Sequence, residues 1–375
     1  MNPASFPIKK IYIENSLKNS IIVKNIIENT KGLSIEIEWV ENPKEVMKLY
    51  SQKNQLFYKD ILLVQRHLGK FLSSCPGSDG VVCCQYFVIN FGVGCVYDCH
   101  YCYLQTFMNQ PLITLFGNVD DLLDEVSRKI QNKAFHFRIG TGEYTDSLAL
   151  DPLIKLSPIL IEFFAKQTNA TLELKTKSSN VDHLLDLPHN QRTVISWSVN
   201  PEFIVNTIEH GTSTIQERLE AALKAQKAGY KLAFHFDPII YYENWEKDYY
   251  ELIDHIFDVV NPNRIAWISL GTFRYSPNQK EIMQKRYPED FLTKQEMVQG
   301  KDHKFRYYKE IRYEVYSKIR SYIQKKDPKL FLYLCMETQF MWDKVFGFIP
   351  SSSKSLDLLF EERRKYVDQV YQQKV

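Results

Sequence analysis

From residue 85 onward, short apolar runs alternate with longer segments in which apolar residues recur at helical spacing. The apolar runs, each of strand length, are Gln85–Asn90, Ala134–Gly140, Thr171–Thr176, Thr193–Val199, Lys231–Phe236 and Arg264–Leu270. The segments with helical spacing are Val119–Asn132, Pro152–Gln167, Val181–Leu187, Thr214–Gly229 and Trp245–Val260. Repeated strand–helix units of this kind predict parallel strands joined by right-handed crossovers. They predict an α/β protein with a partial (β/α)6 barrel, whose functional residues gather at the carboxyl ends of the strands.

The two ends of the chain carry additional elements. Residues 1–84 predict an N-terminal α/β extension, with strands at Lys9–Ile13 and Leu33–Val40 that are each followed by a helix. The barrel is predicted for residues 85–345, with one more strand at Leu330–Met336. Residues 346–375 predict a C-terminal helical tail, which begins after the serines of Ser351–Ser353. We expect both ends to cover the open side of the barrel, because an incomplete barrel leaves an edge strand that needs protection.

Composition narrows the class of protein. The 375 residues are 44% hydrophobic and 14% aromatic, which is enough to fill a large core and leaves little room for disorder. No stretch reaches the roughly 18 apolar residues of a membrane span, and residues 1–11 lack the core of a signal peptide. Seven cysteines, an odd number, favour metal ligation in a reducing compartment over disulfides. We therefore predict a cytoplasmic protein without a membrane partner.

Three cysteines lie close together directly after the first apolar run. Cys95, Cys99 and Cys102 are separated by three residues and then by two. Three thiolates at this spacing can hold three irons of a 4Fe-4S cluster and leave the fourth iron open to another ligand. The alternative is a zinc site or a redox cysteine cluster. Zinc sites usually have paired CxxC units or a Cys/His set at longer spacing, and a second CxxC unit does not occur in this chain.

The spacing, with Tyr101 just before the last cysteine, resembles the signature of radical S-adenosylmethionine enzymes. The resemblance implies that S-adenosylmethionine chelates the open iron. It also implies that an electron from the cluster splits this cofactor into methionine and a 5′-deoxyadenosyl radical, which abstracts hydrogen from carbon.

The segment from Cys95 to Thr106 resembles, more narrowly, the spore photoproduct lyase family of DNA-repair radical enzymes. Further stretches that match this family in order are Thr176–Lys177, Val181–Leu185, Ser198–Asn200, Gly211–Ser213, Arg218–Leu219, Ala228–Leu232 and Gln284–Pro288. The resemblance covers roughly residues 85–335. It implies a lyase-like enzyme that acts on a nucleic acid or nucleotide and takes electrons from a reductant such as flavodoxin or ferredoxin.

The resemblance also implies roles for individual residues. Thr145, Lys177 and Ser198 match residues that surround the cofactor in the family, and each follows or ends a predicted strand. Lys177 would neutralise the carboxylate of the cofactor, while the hydroxyls would serve its polar groups. Hydroxyls at strand ends also cap helices, which is the alternative for Thr145 and Ser198. Tyr101 and Tyr103 match a hydrogen-relay pair of the lyase.

One position departs from the family. The lyase has a cysteine three residues before the aspartate that matches Asp146, and this cysteine returns a hydrogen atom to the repaired thymine radical. Here the position is Glu143, whose O–H bond is too strong for that role. The stretch Gly140-Thr-Gly142-Glu143 resembles instead the Gly-Gly-Glu strand end that binds the ammonium of S-adenosylmethionine in many radical enzymes. The alternative is a surface glutamate that caps a helix.

The replacement at residue 143 leaves the reaction open. The substrate need not be spore photoproduct. If a radical product still receives a hydrogen atom, Tyr103 with Tyr101, or Cys335 at the end of its strand, could donate it.

Two further positions carry candidate chemistry. Cys75, Cys83, Cys84 and Cys335 could form a second cluster or a zinc site, or could be small buried hydrophobic residues. Asp237 closes the fifth strand, where it could bind a ribose hydroxyl or cap the following helix.

The charge of the chain is unevenly distributed. Between Phe273 and Lys329 there are fifteen Lys or Arg and eight Asp or Glu, together with seven tyrosines, whereas the whole chain carries +2. Basic residues interleaved with aromatic ones suit nucleic acid. The tyrosines also fit an ordinary helix whose inward positions are Tyr308, Ile311, Val315, Ile319 and Tyr322. The rival function is therefore a non-catalytic iron–sulfur or zinc protein that binds nucleic acid through this basic quarter.

Overall fold

The computed structural model describes residues 7–372 except residues 54, 76, 79, 85, 132, 134, 351 and 352, and only the backbone of residues 353–355. Parts of several predicted features therefore lie outside the described residues. They include Gln85, Asn132, Ala134, the first two residues of Ser351–Ser353, and the outermost residues of the predicted N-terminal extension and C-terminal tail.

The strands of the described chain are β1 (Lys10–Glu14), β2 (Glu36–Val40), β3 (Tyr58–Gln65), β4 (Leu72–Ser74), β5 (Phe87–Ile89), β6 (Gly92–Val93), β7 (Asp98–Cys99), β8 (Leu112–Phe116), β9 (Phe137–Gly140), β10 (Ala170–Thr176), β11 (Thr193–Ser198), β12 (Glu209–His210), β13 (Lys231–Ile239), β14 (Ile265–Thr272), β15 (Arg274–Tyr275), β16 (Val298–Gln299), β17 (Phe305–Arg306) and β18 (Leu332–Leu334).

Its α-helices are α1 (Ile21–Asn29), α2 (Pro43–Ser51), α3 (Leu104–Phe107), α4 (Val119–Ile130), α5 (Asp151–Ile154), α6 (Leu156–Ala165), α7 (Glu202–Ile208), α8 (Ile215–Lys227), α9 (Trp245–Val259), α10 (Pro277–Arg286), α11 (Lys309–Lys326), α12 (Gln339–Phe346) and α13 (Ser353–Gln372).

The larger sheet forms the wall of the partial barrel. Its strand order is β18-β14-β13-β11-β10-β9-β5-β4, and every neighbouring pair is parallel except β4 with β5. The six predicted strands appear in it in the predicted order, followed by the extra strand β18. The predicted α/β fold with a partial barrel is confirmed.

A second sheet contains the N-terminal strands and two strands from further along the chain. Its order is β2-β1-β3-β8-β6, with β6 antiparallel to β8 and the other pairs parallel. The cysteine segment between β6 and β8 therefore lies where this sheet meets the barrel. Although β6 and β8 lie beyond residue 84, they pair within the N-terminal sheet. The division of the chain at residues 84 and 345 remains a prediction.

One predicted helix is wrong. Val181–Leu187 contains only a 3-10 turn at Asp182–Leu184. Pro188 follows immediately and disfavours helical backbone at Leu187, so a longer helix is blocked.

The ends of the chain meet across the open side of the barrel. A β-bridge joins Val82, near the β4 edge of the sheet, to Glu337, just beyond the opposite edge strand β18. Below the strands, α13 packs its Phe360 ring edge-on against Trp267 and Tyr333. These contacts confirm that both ends help to cover the barrel. The helices of the described residues are each too short or too polar to serve as a membrane span.

Candidate active site

The three clustered cysteines surround one narrow cavity. Cys95, Cys99 and Cys102 all line a space of about 20 Å³. The turn into this loop requires Gly94, whose φ of +97° disfavours other residues and whose missing Cβ would lie 2.9 Å from the Met108 side chain. The loop is held further by the antiparallel pairing of β7 with β12. The structure therefore brings together the thiols that the sequence predicted as ligands.

The thiols lie in an environment that favours their protonated form when no metal is bound. Burial, followed by the charge of Asp146, raises the pKa of the Cys95 thiol to about 12, and burial also raises the pKa values of Cys99 and Cys102. Metal binding would replace these protons. Among the described residues, no group of three or more His, Cys, Asp or Glu is arranged for a single metal ion. Three thiols around one cavity can each bind a different iron of a 4Fe-4S cluster, which leaves the fourth iron without a protein ligand.

A buried polar cluster lies beside the cysteine loop, on the barrel side. The hydroxyl of Tyr101 donates to Glu209, which also accepts from Arg218 at 2.7 Å. Lys177 Nζ is 3.9 Å from Glu209 Oε1 and 5.6 Å from the centre of the Tyr101 ring. Burial opposes ionisation of Glu209, but Lys177 and Arg218 outweigh it and lower its pKa to about 2. Two cations around one carboxylate leave positive charge next to Cys99.

Sequence reasoning missed Glu209. The sequence could have indicated this residue only through its position, since it lies just before two stretches that resemble the family, Gly211–Ser213 and Arg218–Leu219.

The other predicted cofactor residues lie at the carboxyl ends of three adjacent strands. Thr145 follows β9, Lys177 follows β10, and Ser198 ends β11. The backbone there is fixed by Asp146, whose carboxylate accepts from Thr176 Oγ1 at 2.6 Å and from Lys177 N at 2.8 Å. This arrangement leaves the Lys177 ammonium free to face the polar cluster.

Glu143 lies between a tyrosine and a lysine. The Tyr103 hydroxyl donates to the Glu143 carbonyl oxygen at 2.5 Å and lies 3.2 Å from its Oε1. On the other side, Glu143 and Glu173 outweigh burial and raise the pKa of Lys175. The backbone fits here because Gly142 has no Cβ, which would lie 2.8 Å from Lys175 Cβ. The capping bonds to Leu148 N and Ala149 N come from Asp146 rather than from Glu143.

Polar residues also fill the middle of the barrel. His235 bonds to Glu173 through Nε2 at 2.6 Å and to Ser269 through Nδ1 at 2.7 Å, while Ser196 donates to Glu173 at 2.7 Å. Burial opposes ionisation of Glu173, but His235 lowers its pKa to about 2. The signal for this network was present in the sequence as polar residues inside otherwise apolar strands. Sequence reasoning did not use it.

Asp237 faces the barrel interior. It lies 3.3 Å from Arg274 and forms a hydrogen bond with the Cys335 thiol, whose pKa is raised by burial and then by this carboxylate. Cys335 therefore lies within the barrel. This position is required if Cys335 is to act as the hydrogen donor, the alternative to Tyr103 with Tyr101.

The predicted second metal site is not supported. Cys75, Cys83, Cys84 and Cys335 are all described, and they do not form a group that could hold a metal ion. Burial, followed by Glu143, raises the pKa of the Cys75 thiol to about 12, and Cys84 and Cys335 pack against the hydrophobic core. A β-bridge joins Val82 to Glu337 across the open side of the barrel. Because Cys84 and Cys335 each lie two residues from this bridge, the bridge brings them near each other.

Helix α10 holds the cysteine loop from outside the barrel. Gln279 donates to the Tyr101 carbonyl at 2.8 Å, and Arg286 donates to Gln105 Oε1 at 2.5 Å and to Asp98 at 2.8 Å. Beyond the helix, Asp290 lies 2.7 Å from His100 Nδ1. The sequence analysis found that Gln284–Pro288 resembles the family. It did not indicate that this stretch contacts the cysteine loop.

The tyrosines of the basic quarter divide between core and surface. On α11, Val315 and Ile319 are buried as the helical spacing predicts. The prediction for Tyr308 is wrong, because this residue precedes the helix and is 42% exposed. Tyr313 is 45% exposed as well. Part of the aromatic surface thus remains accessible.

Comparison with known proteins supports one family. A sequence model of the spore photoproduct lyase family matches residues 6–345. Spore photoproduct lyase of Bacillus subtilis is 30% identical over 328 residues, which cover 85% of this chain and 90% of that protein. The enzyme of a Geobacillus species is 30% identical over 296 residues, covering 76% and 84% respectively.

Solved structures of spore photoproduct lyase superpose on this chain as well. One, complexed with dinucleoside spore photoproduct, is 28% identical, has a TM-score of 0.75, and the match covers 88% of this chain and 99% of that one. Another, a variant with bound AdoMet and dinucleoside spore photoproduct, is 27% identical with a TM-score of 0.74, covering 87% and 98%.

Proposed function

Because the chain belongs to the spore photoproduct lyase family of radical S-adenosylmethionine enzymes, we propose that it abstracts a hydrogen atom from a nucleic acid or nucleotide substrate. The observation that carries this proposal is the meeting of Cys95, Cys99 and Cys102 around one cavity, next to the polar cluster of Tyr101 and Lys177. Membership of an enzyme family favours this function over the rival, a non-catalytic protein that binds nucleic acid.

The three cysteines would hold a 4Fe-4S cluster through three of its irons. When bound together, the cluster and S-adenosylmethionine supply a 5′-deoxyadenosyl radical. The protein contributes the pocket around them. Packing of the loop against α10 and β12 holds its backbone in place and so fixes where the thiols lie.

The methionine part of the cofactor would be bound at the carboxyl ends of β9, β10 and β11. Glu143 would accept its ammonium and Lys177 would pair with its carboxylate, with Thr145 and Ser198 offering hydroxyls. The role of Lys177 is supported by the position of its ammonium, which is 3.9 Å from Glu209. This distance is too long for a hydrogen bond, so the ammonium can still bind a carboxylate of the cofactor. For Glu143, support comes from its place at a glycine-rich strand end inside the site.

The substrate is proposed to be a DNA photoproduct. Two solved relatives hold dinucleoside spore photoproduct, and the exposed tyrosines and basic residues between Phe273 and Lys329 suit nucleic acid. Within the cell we place the enzyme in the cytoplasm, where it would receive electrons from a reductant such as flavodoxin or ferredoxin.

The hydrogen atom that completes the repair must come from a residue other than position 143. We infer that Tyr103 donates it, because its hydroxyl lies against Glu143, at the position where the family carries its cysteine. In this step the phenolic O–H bond breaks, a C–H bond forms on the product, and Tyr103 becomes a neutral phenoxyl radical. One electron from the same reductant and one proton from solvent then restore the phenol, and 5′-deoxyadenosine is released as a product. Cys335, bonded to Asp237 inside the barrel, is the second candidate.

The test is an anaerobic incubation of the iron-reconstituted protein with dinucleoside spore photoproduct and cofactor deuterated at the 5′ carbon. Conversion to two thymines with formation of 5′-deoxyadenosine supports the proposed repair. Formation of 5′-deoxyadenosine without repair would mean that the enzyme generates the radical but acts on a different substrate. A fully loaded cluster that never cleaves the cofactor would overturn the proposed function.

A further inference from the structure

The cavity at the three cysteines has a second side, which faces away from the barrel. Its other lining residues come from the N-terminal sheet, from the segment around α3 and from the end of α10, and none lies on β9, β10, β11, β13 or β14. They include Phe57, Tyr58 and Lys59 at the start of β3, and Arg286 at the end of α10. This inference rests on the proposed cluster. If the cluster forms there, a carrier that docks on these residues lies beside it, because they line the same cavity as the cysteines.

The proposed reaction requires one electron from outside the protein. Electron transfer slows steeply with distance, so the donor must dock where the protein covering the cluster is thinnest. On the barrel side, that space is needed for the cofactor and the substrate. The outer side of the cavity is the remaining approach.

Positive charge surrounds this outer side. Lys59 Nζ and an Arg286 nitrogen lie 3.2 Å and 2.8 Å from the same carboxylate oxygen of Asp98, so two cations share one anion. Lys53, which is exposed, places its ammonium 5.9 Å from the centre of the Tyr58 ring. Lys285, also exposed, precedes Arg286. Lys59 and Arg286 thus line the cavity, Lys53 lies beside the lining residue Tyr58, and Lys285 is the chain neighbour of Arg286.

Two of the nearby acidic residues are already paired with lysines of their own. Asp60 is 3.3 Å from Lys9, and Glu289 is 3.7 Å from Lys294. Apolar surface is present too. Leu56 is 51% exposed beside the partly exposed Phe57.

We propose that Lys53, Phe57, Lys59, Lys285 and Arg286 form an electron-entry surface that docks a small acidic electron carrier of the flavodoxin or ferredoxin class. A few apolar side chains within a ring of positive charge suit a transient redox contact, in which the interface is small and opposite charges guide the encounter. On docking, the flavin or iron–sulfur centre of the carrier is oxidised by one electron, which the cluster takes up, and no bond to either protein forms or breaks.

Nucleic acid is the competing partner for a basic surface. Lys285 and Arg286 belong to the basic quarter, but Lys53 and Lys59 come from the N-terminal part of the chain. Lys59 and Arg286 both line the cysteine cavity, and Lys53 lies within 5.9 Å of the ring of its lining residue Tyr58. That shared position favours a partner that must approach the cluster.

The test reverses the two exposed charges that do not bond to the cysteine loop. The variant Lys53→Glu with Lys285→Glu is reconstituted with iron and sulfide and mixed anaerobically with reduced flavodoxin. We expect cluster bleaching to slow by about tenfold or more at low ionic strength, with the difference shrinking in high salt. Dithionite, which needs no docking surface, should reduce the variant and the unaltered protein at equal rates.

The matched control is Lys247→Glu with Lys365→Glu, which reverses two exposed lysines elsewhere on the surface and should leave the rate with flavodoxin unchanged. Equal flavodoxin rates in all three proteins would overturn the inference. So would a fall in affinity for a fluorescent DNA duplex without a change in flavodoxin rate, because the surface would then belong to nucleic acid. A cluster that does not assemble, or that dithionite cannot reduce, would instead contradict the proposed function itself.

Discussion

The hydroxyl of Tyr103 donates to the main-chain carbonyl of Glu143 and lies 3.2 Å from its carboxylate. The tyrosine that follows the last cysteine of the loop is therefore in direct contact with the residue at which we propose that the family's hydrogen-donating cysteine is replaced. A phenol keeps its hydrogen at neutral pH even at its ordinary pKa of about 10, and desolvation followed by the charge of Glu143 raises the pKa of Tyr103 further. A retained O–H group is what a hydrogen-atom donor needs.

Replacing Tyr103 with Phe should separate cofactor cleavage from repair. We expect 5′-deoxyadenosine to form while conversion of dinucleoside spore photoproduct to thymines falls by about two orders of magnitude, since the product radical would lose its donor. In D2O, the unaltered enzyme should place one solvent deuteron in the repaired thymine. Tyr144→Phe, a neighbouring ring outside the proposed relay, serves as the control. If repair persists in Tyr103→Phe but is lost in Cys335→Ala, the donor is the cysteine.

Replacing Glu143 with Gln keeps the shape of the side chain and removes its charge. We expect the dissociation constant for S-adenosylmethionine to rise by about one to two orders of magnitude, the scale of one charge-assisted hydrogen bond. Isothermal titration under anaerobic conditions measures it. Glu162→Gln, on the exposed face of α6, should bind the cofactor normally. An unchanged affinity of Glu143→Gln for S-adenosylmethionine would mean that this carboxylate interacts only with Tyr103 and Lys175 and does not bind the cofactor.

Replacing Cys99 with Ala should prevent assembly of the cluster, because one of three protein ligands is lost. The iron content after reconstitution should fall from about four irons per chain to a small fraction of that value. Formation of 5′-deoxyadenosine should cease. Cys83→Ala removes a cysteine outside the loop and should keep the full iron content. A loss of iron in that control would reinstate a second metal site.

Replacing Glu209 with Gln should destabilise the protein in a pH-dependent way. The variant leaves the buried Arg218 without its anion, so we expect the free energy of unfolding at pH 7 to fall by about 3 kcal/mol. The folded-state pKa of Glu209 is lowered to about 2, so its carboxylate contributes stability that is fully present above its unfolded pKa of about 4.3. That contribution disappears as the pH falls towards 2, and the two proteins should then converge.

Urea unfolding at a series of pH values measures the difference. Glu246→Gln removes an exposed carboxylate that pairs with Lys318, and it should cost no more than about 1 kcal/mol at any pH. A constant difference between Glu209→Gln and the unaltered protein across the acid range would contradict the assigned charge of Glu209.

Strand prediction succeeded where the apolar runs were long and separated by helices, as in β10, β11 and β13. It missed β8, a run of five buried residues between Pro111 and Gly117. A short apolar run carries no periodicity that distinguishes a strand from a loop. In this case the strand exists because β3 lies beside it in the N-terminal sheet.

The sequence by itself determined the order of the barrel strands and predicted the three thiols that the fold brings together. Both depend on features that are local in the chain, namely the spacing of Cys95, Cys99 and Cys102 and the alternation of strand with helix. Only the tertiary structure decided that Glu209 lies between Tyr101 and Lys177, that Tyr103 contacts Glu143, and that Lys59 and Arg286 meet at Asp98. These residues are distant in sequence, and no local pattern encodes their meeting. They come together because parallel strands bring their carboxyl ends to one edge, and because α10 and the N-terminal sheet pack against the same loop.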